Sequence, residues 1–250
     1  LHTRCAIRGG SVASSTQFVH SASRHGLGLN AADITTGFRV ARSILDEDGI
    51  EFNEAAPLFG APILVPEILS NGKKLQVDNE PHIRSIEEAM DCQWGAAVKL
   101  LLPVECENKL GMKFRFIPPG EFLMGGPSSE EELAPTEQSA HTIAIPRPYY
   151  LGLYEVTQKE WATVVGNQYA QPEGESVGDD FPMHTISWYD AIVFCNALSR
   201  RDDIEPFYDI TILQQRVGSV SIMNADITIL GGPGYRLATE AEWEYACRGG

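Results

Sequence analysis

Apolar positions follow a helical period in four places, each announced by a hydroxyl residue with an acid three positions on. The four are Ser85-Ile86-Glu87-Glu88, Thr157-Gln158-Lys159-Glu160, Ser187-Trp188-Tyr189-Asp190 and Thr239-Glu240-Ala241-Glu242. At such a site the hydroxyl accepts a first-turn N–H, while the acid reaches back to the N-cap amide and meets the positive end of the helix dipole. Each leads into a Trp or an apolar stripe, so the pattern predicts four helices. The first is expected to run to about Leu101 with Ile86, Met90, Trp94, Val98 and Leu101 on one apolar face. The second should stop at Gly166, a glycine placed to end a helix. The third should bury Trp188, Ile192, Cys195 and Leu198 and end near Arg200; the fourth should bury Trp243 and Cys247.

Between these segments the period changes to two. Met112, Phe114 and Phe116 alternate with Lys113, Arg115 and Ile117 until Pro118-Pro119-Gly120 turns the chain. Residues 122–124, 141–145, 149–154, 220–223 and 227–230 also read as strands. Residues 127–139 and 171–180 are acidic loops rich in Gly, Pro and Ser. Short elements separated by much irregular chain predict an α+β fold and not a layered βαβ one. Residues 45–84 hold Pro57, Pro62, Pro66 and Pro81 and an acidic run, Asp46-Glu47-Asp48, which is the composition of a linker. Its apolar stretch, 58–69, is suited to packing on a neighbour.

Charge divides the chain unequally. Residues 1–44 carry five arginines against one acid, Asp33, whereas the remainder carries fourteen bases against thirty-three acids, for a net charge of −15. A body this acidic excludes nucleic acid as a partner, because phosphate binding needs clustered Lys and Arg. The longest apolar run, 61–69, is broken by Pro62 and Pro66, so no membrane span is expected. The five cysteines (Cys5, Cys92, Cys106, Cys195 and Cys247) are odd in number and lack CxxC spacing. They fit neither a disulfide framework nor a zinc site and suit a reducing compartment, which favours the cytoplasm.

Four ordered motifs resemble the formylglycine-generating-enzyme, or sulfatase-modifying factor, domain family. They are Ile117-Pro118-Pro119-Gly120-Glu121-Phe122-Leu123-Met124-Gly125, Tyr149 to Thr157, Ser187-Trp188-Tyr189-Asp190-Ala191 with Phe194-Cys195-Asn196, and Tyr235 to Gly250 (YRLATEAEWEYACRGG). Near the other end, Ile7-Arg8-Gly9-Gly10-Ser11 and Gly37-Phe38-Arg39-Val40-Ala41-Arg42 resemble the family's closing motif. The resemblance implies a C-type lectin-like formylglycine-generating-enzyme fold. It also implies tandem copies in a bacterial protein, both truncated here: residues 1–44 as the C-terminal end of a first domain, 45–84 as linker, 85–107 as a helix leading in, and 108–250 as the N-terminal half of a second domain.

The family's oxidases hold copper between two cysteines, spaced five apart, just after the closing GGS; soft thiolates suit Cu(I). Here Ser14 and Val19 stand about where that pair belongs. The family's calcium-binding stretch has no counterpart in the chain. No residue is therefore assigned a catalytic, cofactor-binding or metal role, and no cofactor is expected in this piece. His141 and His184 lack ligand spacing, Glu240, Glu242 and Glu244 point to different helix faces, Glu121 and Glu155 read as backbone-bonding, and Trp161, Trp188 and Trp243 read as core. Gly231-Gly232-Pro233-Gly234 lacks the Lys and the helix of a phosphate loop.

Two functions follow. One is a noncatalytic recognition module that binds a protein, a peptide or a small ligand at its acidic loops, attached in the parent chain to a kinase or other signalling domain. The alternative is a copper-dependent oxidase converting a sulfatase cysteine to formylglycine, with its active site outside the part present. A strand edge without a partner seeks one, so residues 1–43 are expected to fold back onto 108–250, with 38–42 laddering near 111–124.

Overall fold

A computed structural model describes residues 4–8, 24–29, 31, 37–44, 86–125, 140–166, 177–215 and 222–249. In chain order the elements are β1 (Arg4–Arg8), β2 (Arg24–Gly28), β3 (Val40–Ser43), α1 (Ile86–Leu100), β4 (Glu105–Glu107), β5 (Lys113–Ile117), β6 (Gly120–Met124), β7 (His141–Ile145) and β8 (Tyr149–Gly152). Then come α2 (Gln158–Val165), α3 (Trp188–Arg201), β9 (Tyr208–Gln215), β10 (Ile222–Ile229), β11 (Tyr235–Leu237) and α4 (Glu240–Cys247). The fold is α+β, as the pattern predicts. The linker 45–84, Ser85, the loop 127–139 and part of the loop 171–180 lie outside the described residues.

A five-stranded antiparallel sheet, in the order β11-β3-β8-β5-β4, organises the molecule. Residues 40–43 do return to the later part of the chain, but with different partners from those expected. β3 ladders with β8 on one side and β11 on the other, and β8 separates it from β5. An unpaired edge calls for a partner without specifying which, because strand order and register are non-local properties.

One face of the sheet carries Val40, Cys106, Phe114, Phe116, Tyr150 and Tyr235, all in the larger core with α3. Trp161 from α2 stacks on Phe194 of α3 at 5.4 Å and 5°, while Phe38 meets both rings edge-on. Asn196 holds the start of β9 through both its amide groups, donating to Tyr208 O and accepting from Tyr208 N. The other face carries Ala41, Ile117, Tyr149 and Leu151, which pack with Ile145 and Tyr245 beneath α4 and the β6–β7 hairpin. The sheet is therefore covered on both sides, which is why Ile117 is buried although it sits on the opposite side from Phe116.

Three of the four helix starts are described, and each has the reciprocal cap. Thr157 with Glu160, Ser187 with Asp190, and Thr239 with Glu242 exchange side-chain and backbone hydrogen bonds, contacts worth about 1 kcal/mol each. Gly166 ends α2 with φ 84°. The face of α1 differs from expectation. Met90, Val98 and Leu101 are exposed, whereas Trp94 packs on the core as expected, together with Gln93, Ala96, Ala97 and Leu100. Leu101 leaves the helix with φ 54°, which directs it to solvent.

The glycine run before β11 is a structural approach. A Cβ on Gly234 would lie 2.5 Å from both Glu205 O and Phe207 N, so only glycine lets the chain pass that turn. The described parts of the pieces expected at 220–223 and 227–230 join in one strand, β10, paired with β9. Residues 220 and 221 lie outside the described residues and Leu230 follows the strand, and β9 has no counterpart among the expected strands.

Candidate functional site

Cross-strand partners share a face, so the registers place one row of side chains across all five strands. Arg236 opposes Ala41, Ala41 opposes Leu151, Leu151 opposes Arg115 and Arg115 opposes Glu105. Arg39, two residues before Ala41, extends the same side. Ala41 is small and fully buried, which lets α4 lie close across the row.

The N-terminal end of α4 is fixed there. Arg236 donates to both carboxylate oxygens of Glu242 at 2.7 Å, and the Tyr149 hydroxyl donates to Glu242 O at 2.6 Å. Further along, Glu244 is fully buried. It accepts from Gly125 N at 2.8 Å and from Arg248 at 2.7 Å, and Arg248 also donates to Gly125 O. These bonds hold the exit of β6 against α4. The sequence reading missed this role of Glu244, since Gly125, the partner that defines it, lies 119 residues away.

With its ends fixed, α4 presents Trp243, Ala246 and Cys247 on one face and leaves a groove against the sheet. The groove has a volume of about 220 Å³ and is lined by Arg39, Gln93, Arg115, Ile117, Leu151–Leu153, Trp243, Ala246 and Cys247. Trp243 and Cys247, expected in the core, stand at this groove; Trp243 is half-buried and Cys247 exposed. The helical period put them on one face correctly, but the face is a rim. Trp161 is core as expected, and Trp188 is half-buried against Tyr189 and Tyr208.

Arg115 is paired with Glu105 and reaches Gln93 Oε1 at 3.5 Å, while its Nε has no hydrogen-bond partner. Arg39 makes neither an ion pair nor a hydrogen bond among the described residues. Although Cys247 as a whole is exposed, partial enclosure of its sulfur pushes the thiol up, and Arg39 partly offsets this. Cys106 and Cys195 are buried on β4 and α3, and burial pushes both thiols well above the usual cysteine range. His184 is buried beside Thr185, with Nδ1 2.7 Å from its hydroxyl, and His141 lies on β7. Glu121 and Glu155 are exposed. Among the described residues no group of three or more His, Cys, Asp or Glu is arranged to hold a metal ion. Ser14 and Val19 lie outside the described residues. None of the described helices is long and apolar enough to cross a membrane.

The capped α3 and α4, with the Tyr235–Leu237 strand between them, coincide with a family match. Residues 103–250 match the model of the sulfatase-modifying factor enzyme 1-like domain. The chain belongs to this family. The match begins just before β4, so the five-stranded sheet is built from the domain's own strands plus β3 from residues ahead of it. The sulfatase-modifying factor-like chain is also similar to the chaperone protein LppX of Paenibacillus barcinonensis, with 42% identity over 106 residues. Those residues cover 41% of the chain and 36% of LppX, so the chain spans little more than a third of that relative's length. No solved structure matches.

Proposed function

We propose that the chain is a noncatalytic recognition module of the sulfatase-modifying factor-like family, from a bacterial protein that carries the domain in tandem. The tandem reading is supported by order: a closing-type motif at 7–42 precedes an opening-type motif at 111–125, as at a junction between copies. The place of residues 40–43 inside the sheet supports their origin as a closing strand of this fold.

The state of the thiols carries the noncatalytic reading. A Cu(I) oxidase of this family needs two thiolates side by side. Cys106 and Cys195 are instead packed on separate elements and held protonated by burial, and the Cys247 thiol is also raised. Their placement on separate elements supports the noncatalytic reading over copper binding. The name of the LppX relative, a chaperone, favours a protein or peptide partner over a chemical substrate. The competing reading is a copper-dependent oxidase of a sulfatase cysteine, which rests on the family name.

Cu(I) titration of the full chain under reducing conditions separates the two. No tightly bound equivalent is expected, and a CxPxR-type peptide should remain unoxidised. One tightly bound Cu(I) per chain, with peptide oxidation, would overturn the module reading.

A further inference from the structure

We propose that the groove between α4 and the sheet binds the carboxylate of an apolar ligand, the last residue of a peptide or a small free acid, with Arg39 as the recognising charge. This deepens the recognition-module reading and rests on it.

Among the described residues of this acidic protein, one groove cation stands without a counterion. The chain carries a net charge of −15, yet Arg39, half-buried at the groove, has no ion pair or hydrogen bond among the described residues. A partly desolvated charge is costly until it is paired, and a guanidinium fork matches a carboxylate in a bidentate way. Arg115 beside it is already neutralised by Glu105 but keeps an unpartnered Nε. Among the described residues the groove thus holds one surplus positive charge and one spare donor.

Size and lining narrow the ligand. A groove of about 220 Å³, partly open to solvent, has room for one apolar side chain with its carboxylate. Ile117, Leu151, Leu153 and Trp243 supply walls for that side chain. A phosphate dianion would seek more than one free cation and fewer apolar walls. A free amino acid is also disfavoured, because no lining residue is a carboxylate and its ammonium group would face two guanidiniums. A peptide C-terminus and a simple aliphatic acid share the favoured chemistry.

Calorimetry on the full chain tests this with N-acetyl-leucine, N-acetyl-leucinamide, hexanoate and a pentapeptide ending in leucine. N-acetyl-leucine should bind at least about tenfold more tightly than its amide, the ratio expected for loss of a charged hydrogen-bonded pair, and added salt should shrink that ratio. Arg39→Gln should bring the ratio to about one, while Arg39→Lys, read alongside it with a circular dichroism check of folding, should keep a preference for the acid. The pentapeptide binding more tightly than hexanoate would identify a peptide C-terminus; equal affinities would identify a small free acid. The proposal is overturned if acid and amide bind alike, if neither binds at millimolar concentration, or if the preference survives in a folded Arg39→Gln chain. Failure of the acids in a chain that also binds no Cu(I) removes the ligand class alone; tight Cu(I) binding removes the module reading itself.

Discussion

Replacing Trp161 by alanine is expected to destabilise the chain by about 3–5 kcal/mol. Its ring is 1% exposed, stacked on Phe194 and met edge-on by Phe38, so its removal opens a cavity where α2, α3 and the approach to β3 converge. Trp188→Ala should cost less, because that ring is only half-buried. Urea denaturation of the two variants checks the order. A Trp188 variant less stable than the Trp161 variant would mean that the larger core does not centre on the α2–α3 contact.

Glu242→Gln should cost a similar amount, about 3–5 kcal/mol, because it leaves a buried guanidinium without its counter-charge. The side chains of Arg236 and Glu242 are 8% and 13% exposed. The pair joins β11 to the first turn of α4, and Glu242 also completes the cap with Thr239. Replacing both residues with apolar ones of similar volume should recover much of the loss. The acid side of the stability curve gives an independent check. Burial alone would raise the Glu242 carboxyl, but the Arg236 hydrogen bonds and charge, with the Thr239 amide, outweigh it and hold the carboxyl below its ordinary value of 4.5. A carboxyl depressed in the folded state stabilises fully above its unfolded pKa and loses that contribution as pH falls through the folded one. The parent chain should therefore lose stability to Glu242→Gln steadily as the pH drops below about 4.5, with the gap between the two curves closing. A gap unchanged from neutral to acid pH would mean that the pair is not ionised in the folded chain.

Much of the architecture was legible because it is written locally. A cap with an acid three residues on sets a helix start wherever it occurs, and Thr157, Ser187 and Thr239 each do so. Alternation at 112–117 identified the sheet strand that feeds the core. Two kinds of information were not local. Which residues of α1 face inward depends on how the helix is rotated against its neighbours, so Gln93 and Ala97 are buried beside the expected Trp94 while Met90 and Val98 face solvent. The groove draws on Arg39, just ahead of β3, and on residues of β5, β8, α1 and α4 with no fixed spacing among them, and Arg39 reaches it only because Ala41, Leu151 and Arg115 fall in register. The one sequence signal available was the excess of arginine in residues 1–44 of an otherwise acidic chain, which marked charge without marking a place. Glu244 was likewise hidden, since nothing near it in sequence announces its bond to Gly125.

The account depends on residues 40–43 forming an interior strand of the family domain's sheet, since that strand sets the position of Arg39. Native-state hydrogen exchange on the full chain measures this directly. The amides of the 40–43 strand that ladder with β8 and β11 should be protected as strongly as those of 149–152, and the two segments should lose protection together as denaturant is added. Exchange of 40–43 at the rate of unprotected chain, with 113–117 and 149–152 still protected, would contradict the account.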